Sequence, residues 1–250
     1  MTIHDCALNG ASLSEVDERI CVLDVREDTP RLRPTTFPLP QGGQTLSPVR
    51  ESLTVRISFA IHEEDHARRW ALLNAVRAWA MTGGILTLAA RPGQQLAVLC
   101  TEFPAMSSED WTETLTLGFT TTRCPFWEDA EATVLTTDSA STLAIPGTAD
   151  FAPVSVTVTN TGSEAATRLS LQCGATWLIF EDICLPAGSK CYVEVRDGLL
   201  SAFIDGESIL PSRTPASADL LLAPCGKSCP VQAMTTQALP AIWEARGRYA

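Results

Sequence analysis

Between Ser52 and Ala90 the hydrophobic period of the chain changes twice, and this constrains the fold more than any other feature. In SLTVRISFAI, residues 52–61, Leu53, Val55, Ile57, Phe59 and Ile61 alternate with polar or small residues, which is the pattern of a strand with one buried face. Glu63, Glu64 and Asp65 follow, placing carboxylates where the free N–H groups and the positive dipole end of a helix favour them. A helix is expected from there, because Leu72, Leu73, Val76, Trp79 and Ala80 fall on one stripe while Asn74 and Arg77 lie off it. Gly83 and Gly84 end the helical period, and ILTLAA resumes alternation as a second strand. A strand, a helix and a strand, each with one apolar face, bury those faces only against one another or against further sheet, so this stretch is the nucleus of a domain.

The flanking segments supply that sheet. ERICVLDVRE alternates upstream, RPGQ makes a turn, QLAVLC forms a hairpin with ILTLAA, and WTETLTLGFTTT alternates again. Roughly five strands around one helix are expected by residue 122. Residues 28–48 break the pattern with Pro30, Pro34, Pro38, Pro40, Pro48, Gly42 and Gly43, so neither a helix nor a central strand persists there. A long exposed loop or extended arm is the reading, and its length points to a function such as contact with another subunit. Pro34, Phe37 and Pro38 are its candidate contact residues. Phe126 and Trp127 in CPFWED are a further candidate, since aromatics anchor interfaces, although such a pair also serves to pack a domain junction.

From Ala130 the texture shifts to Ala, Thr, Ser and Val with no helical period. Short alternating runs recur as PVSVTVTN, TRLSLQC, ATWLIFEDI, KCYVEV, LLSAFID, ADLLLA, CPVQAM and AIWEARGRY, divided by turn signals at Asn160, Gly162, Pro186, Gly188, Asp197–Gly198 and Asp205–Gly206. Many short strands with turns between them mean an all-β sandwich. The chain is therefore expected to be mainly β, with an α+β first domain over 1–129 and a β-sandwich over 130–250.

The 250 residues are 45% hydrophobic, enough for a substantial core, and carry a formal net charge of -11. That balance argues against a protein that holds nucleic acid by neutralising phosphates, while an acidic wall suits a passage along which a polyanion slides. The amino terminus MTIHDCALNG has neither the basic region nor the apolar stretch of a secretory signal, and no apolar run is long enough to cross a bilayer, so folding in a cytosol without a membrane is expected. The nine cysteines are spread through apolar runs and read as buried free thiols. Only Cys225 and Cys229, in CGKSC, lie close together, where a small disulfide loop or a share in a zinc site are the alternatives.

Three motifs suggest chemistry. HEEDH, residues 62–66, has the two histidines at i and i+4 and the glutamate of zinc peptidases, in which both imidazoles hold the metal and the carboxylate takes a proton from bound water. Here the pattern straddles a strand end and a helix start, so His62 and His66 need not share a face, and the reading is an acidic, solvated helix start with no metal, cofactor or catalytic residue. Gly226, Lys227 and Ser228 echo a phosphate loop, but Leu221 stands where that loop has glycine. Trp177 and Trp243 offer rings for stacking on a sugar, though each lies in an apolar strand that favours core packing.

The order of strand, helix ending in RAWAMTGG, hairpin, proline break, strand and CPFWED, then VEVRDGLLSAFIDG, SADLLLAPCGKSCPVQAM and WEARGRYA, resembles the distal tail (Dit) proteins of long-tailed bacteriophages over most of residues 45–250. The resemblance implies an amino-terminal belt domain that closes into a homohexameric ring at the tail tip, followed by a galectin-like β-sandwich. It implies a structural virion protein, made in the host cytoplasm, that joins the tail tube protein to hub, tail-associated or fibre proteins of the adsorption apparatus and leaves a channel for DNA. A carbohydrate-binding module recognising a cell-surface glycan is the alternative function, and a zinc peptidase the third.

Overall fold

The computed structural model describes residues 5–28, 32–33, 36–39, 42–45, 49–105, 114–196 and 198–250. It divides into two compact units, Met1–Trp127 and Glu128–Ala250. In chain order the first unit contains β1 (Cys6–Leu8), β2 (Ala11–Ser12), β3 (Ile20–Glu27), β4 (Leu32–Arg33), β5 (Thr36–Leu39), β6 (Gly42–Thr45), β7 (Val49–Arg50), β8 (Thr54–Ile61), α1 (His66–Met81), β9 (Gly84–Leu88), β10 (Gln94–Glu102) and β11 (Leu115–Thr121).

Its main sheet runs β2-β1-β9-β10-β11-β8-β3, antiparallel at each step. The alternating residues of the nucleus do face inward: Leu53, Val55, Ile57, Phe59 and Ile61 are all buried, as are Leu115, Leu117 and Phe119 of β11 beside them. Trp111 and Glu113, at the start of the expected last strand, lie outside the described residues. Each fully buried aromatic or branched aliphatic side chain of this layer contributes about 1.5–3 kcal/mol relative to exposure.

Asp65 caps α1, its carboxylate accepting from the Arg68 N–H at 2.8 Å. The helix buries Leu72, Leu73, Val76 and Ala80 against the sheet, and Trp79 sets its ring edge-on to Phe119 while its Nε1–H donates to the Ala11 carbonyl at 3.0 Å. Gly83 and Gly84, with φ of +56° and +125°, turn the chain back into β9. The Asn9 side chain clasps this turn, Nδ2 donating to the Gly83 carbonyl at 2.8 Å and Oδ1 accepting from the Ile85 N–H at 2.9 Å. A Cβ on Gly84 would stand 2.1 Å from Asn9 Oδ1, so the clasp exists only because residue 84 has no side chain.

Past the division, which falls within β12 (Trp127–Asp129), come β13 (Thr133–Thr137), β14 (Ser141–Ala144), β15 (Phe151–Pro153), β16 (Ser155–Thr159), β17 (Ala166–Cys173), β18 (Thr176–Leu185), β19 (Lys190–Arg196), β20 (Leu199–Ile204), β21 (Glu207–Ser208), β22 (Leu222–Pro224), β23 (Ser228–Met234), β24 (Ala241–Ala245) and β25 (Arg248–Tyr249). Two sheets carry the unit, β13-β24-β16-β19-β20-β21 and β14-β23-β17-β18, with β15 and β22 as a separate pair. Val156, Val158, Val193, Ala202 and Trp243 of the larger sheet and Leu169, Leu171, Leu178, Phe180 and Val231 of the smaller are buried, which makes the unit a β-sandwich. The run ADLLLA, expected as a strand, pairs only from Leu222 onward.

Candidate functional site

Residues 28–48, expected as a loop or extended arm, are not a loop where they are described. β4 pairs with β7 (Leu32 opposite Arg50) and β5 with β6 (Thr36 opposite Thr45, Leu39 opposite Gly42). The same pairing continues inward, with the Asp28 N–H donating to the Thr54 carbonyl at 2.9 Å and Glu27 opposite Val55. Only one residue of slip separates the Arg33/Val49 pair from the Thr36/Thr45 pair, so the described ladders follow on from β3 and β8 in the register of a β-hairpin. Among the described residues β4 pairs with β7 and β5 with β6, and neither pair joins a further strand. Pro34 lies outside the described residues; Phe37 and Pro38 lie on β5, where Pro38 stands opposite Gly43.

Charged and aromatic side chains fix the root of this hairpin. Glu27 accepts from Arg91 twice, at 2.7 and 2.9 Å, and from Trp127 Nε1 at 3.0 Å, while the Arg91 guanidinium lies over the Trp127 ring at 5.1 Å. Asp28 accepts from Arg56 at 2.6 Å, and Arg56 also reaches Glu102 at 3.4 Å. Arg50, on the returning strand β7, stacks on the Phe126 ring at 4.7 Å. Phe126 and Trp127, singled out as possible interface anchors, therefore both hold the hairpin root from within their own unit. Trp127 is 1% exposed, whereas Phe126 keeps part of its ring at the surface.

The histidine motif is split as its position implied. His62 is exposed and precedes the helix, its N–H donating to the Arg19 carbonyl at 2.8 Å, whereas His66 is the first helical residue and its Nε2 accepts from Trp70 Nε1 at 3.2 Å. Glu63, which a peptidase would need as a base, accepts from the Asp65 N–H at 3.1 Å and pairs with Arg19. Those contacts hold its carboxyl below the ordinary range, the Asp65 N–H first among the causes, which is opposite to the poise of a general base at neutral pH. Among the described residues no three His, Cys, Asp or Glu side chains converge to hold a metal.

The two sandwich tryptophans part company. Trp243 is fully buried and donates from Nε1 to Thr137 Oγ1 at 3.2 Å, as core packing requires. Trp177 departs from the expected core role and faces solvent at 37% exposure, because Leu178 and Phe180 take the inward positions of β18. It lies in a row across three strands, opposite Gln172, which is itself opposite Gln232. The cysteines are all free thiols: Cys6, Cys100, Cys173, Cys191, Cys225 and Cys229 are buried, Cys124 is half-buried, and Cys21 and Cys184 are exposed. No bond joins Cys225 to Cys229; the Cys229 sulfur faces Cys173 instead.

No protein-family profile matches the chain, and no curated protein does. Among solved structures, that of the SPP1 Dit (gp 19.1) protein, described as a paradigm of the hub adsorption apparatus in phages infecting Gram-positive bacteria, is similar over 98% of this chain and 99% of its own, with a TM-score of 0.72 and 12% identity. The two share a fold. Two structures of the phage p2 baseplate in its activated conformation, with Sr and with Ca, cover 91% and 89% of this chain and 90% of their own, at 7% and 8% identity, with TM-scores of 0.44 and 0.38 that carry no argument.

Proposed function

We propose that this chain is a structural, non-catalytic protein of a bacteriophage tail tip. In this reading the first unit is a belt that closes with five copies into a ring, joining the tail tube to the hub or fibre proteins, and the second is a galectin-like sandwich. The protein is made in the host cytoplasm, resides at the distal end of the tail, and lets DNA pass without binding it. The observation that carries the reading is the likeness in fold to SPP1 Dit over 98% of this chain and 99% of that one. The rooted hairpin adds support, since a ribbon whose strands join no further sheet among the described residues is fitted to lie on a neighbouring copy.

Native mass measurement and electron microscopy of the full chain, alone and mixed with tail components, test it. Six-fold rings are expected in at least one condition, because association depends on concentration and partners. Deleting residues 28–48 should abolish the rings. A chain that stays single with tail components present, or rings that survive the deletion, would sink the reading or its assignment of the arm respectively.

A second reading, a glycan-binding module, is favoured by the exposure of Trp177 beside Gln172 and Gln232, a flat ring next to amides that both donate and accept. A glycan array with the full chain and Trp177→Ala separates the two. Binding lost in the variant supports this reading, and no binding by the parent chain ends it.

A further inference from the structure

Cys173 ends β17 and Cys229 is the second residue of β23, and these strands are neighbours in the smaller sheet of the sandwich. Cys173 stands opposite Val231, so Cys229 lies two positions along on the same inward face, a diagonal cross-strand neighbour. The two sulfurs are 3.9 Å apart, with Cys173 fully buried and Cys229 5% exposed. Backbone bonds hold them there: the N–H of Gly174, next in chain to Cys173, donates to the carbonyl of Pro230, next in chain to Cys229, at 2.8 Å. Cys225, nearer in sequence, is committed elsewhere, bridging through its backbone to Ile145 and lying near Arg248.

We propose that Cys173 and Cys229 are a modification site, a dithiol that closes to a cross-strand disulfide with a small-molecule disulfide such as oxidised glutathione as co-reactant. A disulfide spans about 2.05 Å, so the sulfurs need to approach by about 1.9 Å, and because diagonal neighbours stand about 7–8 Å apart at Cα, closure takes a shift of the strand ends as well as side-chain rotation. Cys229, the less buried, reacts first: its thiolate attacks one glutathione sulfur, the glutathione S–S bond breaks, and one glutathione thiolate leaves. The Cys173 thiolate then attacks the Cys229 sulfur of the mixed disulfide and expels the second glutathione. Two protons and two electrons leave the protein, and two molecules of reduced glutathione form. Burial pushes the Cys173 thiol well above its ordinary range, so the closed fold reacts slowly and the rate follows opening of the turn at residues 225–228. The inference does not depend on the tail-tip reading, and the free chain tests it.

The full chain is incubated with oxidised glutathione at mildly alkaline pH in graded urea below the unfolding midpoint, then alkylated and digested with trypsin. Cleavage after Lys227 separates Cys225 from Cys229, leaving Cys229 in peptide 228–246 and Cys173 with Cys184 in peptide 169–190. The expected product joins those two peptides with a loss of about 2 Da, the two hydrogens removed, and fragmentation places the link at Cys173. The link should form faster as urea rises, persist in Cys225→Ser and Cys184→Ser, and vanish in Cys173→Ser. Mapping of the parent chain decides the matter even if that last variant misfolds. Cys229 recovered unmodified, only as its glutathione adduct, or joined to Cys225 or Cys184 overturns the proposal.

Discussion

Replacing Glu27 by Gln is the most informative perturbation of the hairpin root. The carboxylate accepts three bonds, two from Arg91 and one from Trp127, and the side chains of Arg91 and Glu27 are 32% and 28% exposed. Two unit charges about 4 Å apart attract by about 4 kcal/mol at an effective dielectric near 20. Partial exposure and salt reduce that, and glutamine keeps one oxygen able to accept. A net loss of about 1–2 kcal/mol remains, since bonds to charged groups are worth more than neutral ones but exposed ion pairs are worth little. Urea unfolding followed by tryptophan fluorescence, for Glu27→Gln, Arg91→Gln and the double variant, isolates the coupling between the two side chains. A coupling of roughly 1 kcal/mol is expected, together with faster tryptic cleavage after Arg31 and Arg50, which flank the arm's described ladders and are not followed by proline. A coupling within about 0.3 kcal/mol of zero, with cleavage unchanged, refutes the claim that Glu27 holds the root.

Burial pushes the Cys6 and Cys191 thiols from an ordinary 9.0 up to about 12, with nearby Asp5 adding to the effect on Cys6. The raised values mean that this stability is complete below pH 9, where both states hold the proton, and is lost as pH rises toward 12, because only the unfolded chain ionises freely. At about pH 11 each thiol should cost roughly 2–3 kcal/mol, and Cys191→Ala should flatten the fall of the urea midpoint with pH; an unchanged slope counts against the assignment. Gly84→Ala strains a backbone at φ +125° and strikes the Asn9 clasp, so thermal melting should report a loss of about 2–4 kcal/mol, and a change within the noise shows the clasp to be dispensable. Asp65→Ala removes the cap on α1 and should cost about 1 kcal/mol, read as a lower urea midpoint that Asp65→Asn largely restores.

The nucleus was legible because each of its elements buries one face only. In β8 and α1 the apolar period and the burial coincide, from Val55 to Ala80, and the same holds for Val156 and Val158 in the sandwich. Where that condition lapses, the sequence falls silent or misleads. β1 and β2 are too short for a period to show, and β13 turns Val134 outward at 57% exposure, so its pattern does not mark a buried face. TWLIF in β18 is apolar on both faces, which hid the outward turn of Trp177. CGKSC drew attention to a pair four residues apart, whereas strand register brought Cys229 to Cys173 from 56 residues away. Sequence proximity says little about thiols when a sheet decides which side chains meet.

The arm departs from the loop alternative, where it is described, for a different physical reason. Proline excludes a segment from a ladder with neighbours on both sides, because one N–H is missing wherever it stands. A ribbon of two strands makes no such demand: half of its N–H groups point away from the partner strand, and a proline at one of those places removes nothing. Counting prolines therefore argues against a central strand in residues 28–48 but leaves room for a two-stranded ribbon, which β5 and β6 form with Pro38 opposite Gly43. The same geometry has an energetic consequence, for a two-stranded ribbon is marginal in water by itself and its ladders join no further strand among the described residues. Its root is held by Glu27, Asp28 and Arg50, but the ladder beyond Arg33 needs a surface to lie on. If that surface belongs to another copy, removing the arm should leave the urea midpoint of the single chain almost unchanged while ending association. If it belongs to the same chain, the midpoint should fall as well, and measuring stability and assembly on one deletion variant therefore decides between the two.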